Sequence, residues 1–278
     1  MLEKKSFQAN SLDTISSHLL QTQSMGTILR TYQHMVTIQT KDGDHLHIVN
    51  PTLGNGPRRI LLDPYPDEVF ITLYPGMRVT FNPKYLHIDQ TFIIQLQDAY
   101  LWTMPIVEKV ELLRSNILLY LQACFQKIQF NDVLIDEHAL TKEKIQQFFL
   151  KPSFANIASV LGLGSGSTPI GDDALCGYIL SQRFLGRSPT LIHQLATEHF
   201  FQTTSVSQEM LNDVYHGFYS EVFIDWFKQL IHHPKLGIDE DILRLGGKSG
   251  AMILLSFYQF TIASLKEEPY EHVFAYSR

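Results

Sequence analysis

The chain has 278 residues, 45% of them hydrophobic and 18% charged, with a formal net charge of −6. That length supplies one large or two ordinary domains with ample core, the composition excludes a disordered tail, and the acidic balance excludes a nucleic-acid binder with a basic face. Two cysteines, Cys124 and Cys176, give neither a disulfide framework nor a CxxC pair.

The opening residues MLEKKSFQANSLD have lysines but no apolar stretch after them, unlike a secretory signal. No apolar run reaches the ~18 residues of a membrane span. The strongest, Ile253 to Leu265, is interrupted by Ser256 and Gln259. A soluble, cytoplasmic protein is expected.

After a short N-terminal helical segment, residues 25–105 read as strands and turns. Met35–Gln39 alternates, Lys41-Asp42-Gly43-Asp44 supplies a hairpin turn, and His45–Val49 alternates back. Ile60–Leu62, Val69–Leu73, Arg78–Phe81 and Phe92–Leu96 add strand-like pieces, separated by Pro- and Gly-rich turns. Val110, Leu113, Ile117, Leu121 and Cys124 then recur at spacings of three and four, predicting a helix over 107–130. Further helices are predicted at 140–149, 153–161, 169–184, 189–199, 206–232 and 249–265. The fold class is therefore α+β. Residues 1–106 form an antiparallel β-barrel-like or sandwich domain, and residues 107–278 form an all-helical, ligand-binding domain.

The run Gly162–Gly177, GLGSGSTPIGDDALCG, carries the chemistry. Thr168 suits a helix N-cap and Pro169 the first helical position. Gly162, Gly164 and Gly166 admit positive φ and close approach of a ligand to backbone amides, beside the hydroxyls of Ser165, Ser167 and Thr168. Such a start suits phosphate or carboxylate; a well-capped helix after a glycine-rich connection is the plainer alternative. Asp172 and Asp173 favour the helix dipole, and they point about 100° apart, so that one can meet a ligand while the other braces a neighbour. Gly171 and Gly177, poor helix formers, imply that something packs close to this helix.

Two more helix starts are rich in hydroxyls. Ser205 with Gln208 makes a capping box in Thr203-Thr204-Ser205-Val206-Ser207-Gln208, and Ser249 can cap the last long helix after Gly247-Lys248. Either capping alone explains them, or the three N-termini converge on one anion with Lys248 adding positive charge. Gly247-Lys248-Ser249 is not a P-loop, because Ile242 stands where its first glycine belongs. His45 and His47 are expected on a solvated strand face, His232-His233 at a helix end, and both cysteines in the core.

The central motif, with TTSVSQEML and LGGKSGA downstream and the Gly56-Pro57 step upstream, resembles a bacterial family of largely uncharacterised proteins. That family includes the AllH-like subunit of oxamate carbamoyltransferase, from anaerobic allantoin use. The resemblance implies transfer of a carbamoyl group between carbamoyl phosphate and oxamate by a multi-subunit enzyme. It carries Gly164, Ser165, Gly166, Thr168, Asp172, Asp173, Thr203, Thr204, Ser207, Gly247, Ser249 and Gly250 over as ligand contacts. Lys248 stands where the family usually has a small polar residue or histidine, and Ala251-Met252 offers no aspartate. Asp172, Asp173 and Lys248 are the catalytic candidates. The aspartates can orient a carbamoyl nitrogen or hold a magnesium ion, and Lys248 can stabilise oxygen charge. A non-catalytic anion-binding, regulatory or structural subunit is the alternative.

Overall fold

The computed structural model describes residues 5–66, 70–89, 91–105, 109–232, 240–243, 248–267, 269–270 and 272–276. The chain divides into two compact units, residues 1–105 with Ser220–Val222, and residues 106–219 with 223–278.

The first unit is a closed barrel. Its strands are β1 (Lys5–Asp13), β2 (Met25–Thr31), β3 (Met35–Thr40), β4 (His45–Val49), β5 (Arg59–Leu62), β6 (Arg78–Phe81), β7 (Tyr85–Ile88) and β8 (Phe92–Gln95). They run in the order β5-β4-β3-β2-β6-β7-β8-β1, and β1 pairs with β5 to close the ring. Closure leaves these strands no row of unpaired amides, so barrel rather than sandwich is the outcome. The pairings are mostly antiparallel, but β1–β8 and β4–β5 are parallel. A short β9 (Tyr100–Trp102) adds to β1 outside the ring.

Alternation fixes the register. Val36 faces Ile48 and Ile38 faces Leu46 across the β3–β4 pair, and all four are fully buried. The N-terminal helical segment is α1 (Thr14–Thr22), capped by Asp13, whose carboxylate accepts from the amides of Ile15 and Ser16 at 3.0 and 2.9 Å.

Two expectations fail in this unit. His45 is fully buried rather than solvated, and His47 is half-buried with Nδ1 at 3.1 Å from the Thr37 hydroxyl. Burial, reinforced by Arg59, His45 and Arg58, pushes the His47 pKa down to about 3. In place of the expected strand at 69–73, residues 70–73 make turns, with the Phe70 amide donating to Pro66 O and the Leu73 amide to Phe70 O. Phe70 and Leu73 are buried while Ile71 is exposed, a helical spacing that a short apolar run does not distinguish from a strand. Val69 lies outside the described residues.

The second unit carries α2 (Arg114–Phe125), α3 (Phe130–Val133), α4 (Ala139–Leu150), α5 (Phe154–Val160), α6 (Ile170–Phe184), α7 (Thr190–His199), α8 (Ser205–His216), α9 (Glu221–His232) from Phe223 onward, α10 (Glu240–Leu243) and α11 (Ser249–Glu267). It is not wholly helical. β10 (Lys109–Leu113) pairs antiparallel with β11 (His272–Tyr276), so Val110 lies opposite Ala275 and the helix expected from 107 starts at Arg114. The helix predicted over 206–232 is two helices. α8 ends in a Schellman motif, with Gly217 at φ +84° and the amides of Gly217 and Phe218 donating to Val214 O and Asp213 O.

The core of this unit is the pair α6–α11. Ser256 Oγ donates to Ala174 O at 2.5 Å, and Thr261 Oγ1 to Ser181 Oγ at 3.0 Å. The contacts advance together along both helices, so α6 and α11 run in the same direction. At Gly177 the two backbones touch: a methyl group there would lie 2.2 Å from Ile253 O. The close neighbour implied by Gly177 is α11, and Gly171 is likewise pressed against Val160 O. Cys124 and Cys176 are both buried thiols.

Candidate functional site

Residues 161–169 form an arch between α5 and α6, and its glycines have positive φ: +71° at Gly162, +111° at Gly164 and +100° at Gly166. The arch is strapped down at its base. The Gly162 amide donates to Asp172 Oδ1 at 2.7 Å, and the Gly171 amide donates to Leu163 O at 2.9 Å. Asp172 Oδ2 accepts from the Thr203 hydroxyl. Both oxygens of Asp172 are thus engaged, and this carboxylate is a strut.

The crest is open. Gly164, Ser165 and Gly166 are exposed, and a methyl group at Gly166 would meet nothing within 4 Å. Among the described residues, none accepts a hydrogen bond from the amides of Gly164, Ser165, Gly166, Ser167 or Thr168.

The N-cap of α6 is Pro169, not Thr168. Pro169 has extended backbone (ψ 146°), and its carbonyl accepts from the amides of Asp172 and Asp173. Thr168 is released from capping, and its hydroxyl lies 3.2 Å from that of Ser249. The second helix start is also shifted by one residue. Thr204 caps α8, its Oγ1 accepting from the Ser207 amide at 3.1 Å, while the Gln208 side chain donates back to Phe200 O and Thr203 O. Thr204 Oγ1 also donates to Ser167 O, and the Ser207 hydroxyl reaches the same carbonyl at 3.4 Å. Ser249 does not cap α11 but is its first residue, since the Lys248 carbonyl accepts from the Met252 amide. Its hydroxyl is freed for Thr168.

The N-termini of α6, α8 and α11 therefore meet at one arch. The structure brings together Thr168, Asp172, Asp173, Thr203, Thr204, Ser207 and Ser249, with Gly164, Ser165 and Gly166 on the crest. Gly250 is buried within α11, and Gly247 lies outside the described residues. Lys248 is engaged elsewhere, its Nζ 2.5 Å from Asp136 Oδ2. That ammonium holds the Asp136 carboxyl below its ordinary range. Sequence reasoning missed Asp136, and it missed the Ser167 carbonyl, which no side-chain pattern reveals.

The two aspartates differ. Burial raises the pKa of Asp172, opposed by hydrogen bonds from Thr203, Gly162 and Ser207. Burial raises Asp173 further, and the neighbouring charge of Asp172 adds to it against the single hydroxyl of Ser249. Oδ1 of Asp173 is buried without a hydrogen bond among the described residues. No group of three His, Cys, Asp or Glu side chains suited to a metal forms among the described residues. The only oxygens the two acids offer a magnesium ion are an already engaged pair on Asp172 and a buried pair on Asp173, so the donor set fits that ion poorly.

A separate open cavity of about 500 Å³ lies between Gln122, Phe125 and Gln126 of α2 and Gln259, Ile262 and Lys266 of α11. No described helix is long and apolar enough to cross a membrane.

The molecule is an α+β protein in which a barrel unit is followed by a helical unit with a glycine arch at three helix starts. Residues 160–260 match the family model for oxamate carbamoyltransferase subunit AllH, and residues 7–101 match that for the AllH family N-terminal domain. Together they cover most of the chain, which belongs to the AllH family. The word subunit in that description points to a multi-subunit enzyme. No curated protein and no solved structure gives a significant match.

Proposed function

We propose that this chain is a carbamoyltransferase subunit that holds a small anion, carbamoyl phosphate or a carboxylate such as oxalurate, on the arch Gly164–Thr168. One observation carries this reading: five successive arch amides, with no acceptor among the described residues, stand where three helix N-termini meet. Each N-terminus places partial positive charge at the same point, and amides fixed in advance stabilise charge on a ligand's oxygens without reorganising. The helical part, residues 107–278, carries the ligand, and we place the protein in the cytoplasm. In the reaction implied by the family, phosphate displaces oxamate from oxalurate. The carbamoyl carbon–nitrogen bond breaks, a carbon–oxygen bond to phosphate forms, and a proton goes to the oxamate nitrogen.

Calorimetric titration of the full chain with carbamoyl phosphate and with oxalurate tests the binding. Gly166→Ala keeps the fold, at a cost of about 1–2 kcal/mol for its left-handed backbone, and is expected to lose the anion because the methyl occupies the open crest. Oxalurate phosphorolysis with and without partner subunits tests the chemistry. An unmodified chain that binds none of these anions refutes the reading.

A second reading, anion binding without turnover by this chain, is favoured by Lys248. With its ammonium on Asp136, the chain brings no formal positive charge of its own to the arch among the described residues.

A further inference from the structure

We propose that Asp136 is a positioning residue for the arch: it competes with a bound anion for the Lys248 ammonium, and so sets how tightly the arch holds that anion. This deepens the anion-binding reading and rests on it, with or without turnover.

The geometry joins two observations. Lys248 Nζ lies 2.5 Å from Asp136 Oδ2, with the lysine side chain 39% and the aspartate side chain 80% exposed. Lys248 is also the residue before Ser249, whose hydroxyl is 3.2 Å from that of Thr168, the last residue in the run of open amides. A lysine stem of five bonds reaches about 6 Å from its Cα, while the step to the next Cα is only about 3.8 Å. Rotation about side-chain bonds alone can therefore carry the ammonium from Asp136 toward the Thr168 end of the arch.

Charge decides between the two positions. Lys248 stands at the start of α11, its carbonyl accepting from the Met252 amide, and the N-termini of α6 and α8 meet that start at the arch. The partial positive charges of these N-termini repel an ammonium as they attract an anion. With no anion beside it the lysine is driven outward, and Asp136 receives it. A sulfate on the crest sets two negative charges against the one of Asp136 and reverses the sign of the local field. The ion pair it must break is weak, because both partners are open to water. Nor does the exchange strand Asp136. The Lys142 ammonium, 3.5 Å from Ile135 O, is a second cation beside it and, with Lys248, holds its carboxyl below the ordinary range.

Sulfate is the probe, and the full chain is titrated calorimetrically at one low, fixed ionic strength. Asp136→Asn removes the competitor and is expected to bind sulfate up to about fivefold more tightly, the most that an exposed pair withholds. Asp136→Glu, which keeps the carboxylate, is expected to bind as the unmodified chain does. Lys248→Gln is expected to bind about tenfold more weakly, having lost a charged donor. In the Lys248→Gln background Asp136→Asn is expected to change nothing, since Asp136 acts through that ammonium. An equal gain from Asp136→Asn in both backgrounds means plain repulsion of the anion by Asp136, and overturns the proposal while leaving anion binding intact. So does an unchanged affinity in either single variant, Asp136→Asn or Lys248→Gln. Absence of sulfate, phosphate and carbamoyl phosphate binding by the unmodified chain overturns the anion reading and this inference with it.

Discussion

Replacing Gly177 by alanine sets two magnitudes against each other. In an exposed helix the change would stabilise by about 1 kcal/mol, since glycine is the poorer helix former. Here the added methyl would lie 2.2 Å from Ile253 O, 2.7 Å from Ser256 Cβ and 3.0 Å from Phe257 N, and two of those three atoms are backbone. No rotamer change relieves such a clash; α6 and α11 must separate. Overpacking of this kind costs about 1–3 kcal/mol. Separation also loosens the bonds from Ser256 to Ala174 and from Thr261 to Ser181, each worth about 1 kcal/mol net. The balance is a loss of about 2–4 kcal/mol after the propensity gain. Urea unfolding followed by far-ultraviolet circular dichroism and by tryptophan fluorescence, to which the buried Trp102 and Trp226 both contribute, measures it. An unchanged or raised midpoint would falsify the claim that backbone contact at Gly177 organises this unit.

Asp172→Ala strands the Gly162 amide and is expected to lose about 2–3 kcal/mol, whereas Asp172→Asn keeps one acceptor and loses about 1 kcal/mol or less; equal losses would contradict the strut role. His47, with its folded pKa near 3, binds its proton more weakly folded than unfolded. Its contribution to stability is complete above its unfolded pKa and falls by about 1.4 kcal/mol per pH unit as pH drops from about 6.5 toward 3. His47→Gln should lack that component when acid unfolding of the two chains is compared. Lys248→Ala should leave the thermal unfolding temperature unchanged, because Lys248 and Asp136 are both exposed; a marked drop would show a structural role the geometry does not give it.

What was legible in the sequence was whatever is encoded locally. Val36, Ile38, Leu46 and Ile48 alternate, and their strands fall where that pattern puts them. Gly162–Gly177 showed its arch and its buried contact because only glycine satisfies a positive φ or a touching backbone. Pairings between distant segments were not legible. Val110 and Leu113 fit a helical spacing equally well, and only the strand at 272–276, far along the chain, makes them β. Caps were misplaced by one residue at Thr168 and Ser205 because each sits in a run of hydroxyls, any of which can cap; tertiary partners decided which were free. The burial of His45 and His47 is not legible in the alternation, because one buried face says nothing about whether the other is covered. The engagement of Lys248 is not legible either, because its partner Asp136 lies 112 residues away in the chain.

The barrel's closure has a consequence for the order of events during synthesis. β1 completes the ring, yet its partners are Arg59–Leu62 and, still later, Phe92–Gln95. At about 5–20 residues per second, the first strand emerges roughly 5–20 s before its last ring neighbour exists. A strongly apolar β1 would be an adhesive end throughout that wait. Its sequence, KSFQANSLD, is instead mostly polar, with Lys5, Gln8, Asn10 and Asp13 spread along it. The composition that hides this strand from a hydrophobic pattern is the one a strand needs if it must stay soluble and alone until the rest of its ring has been made.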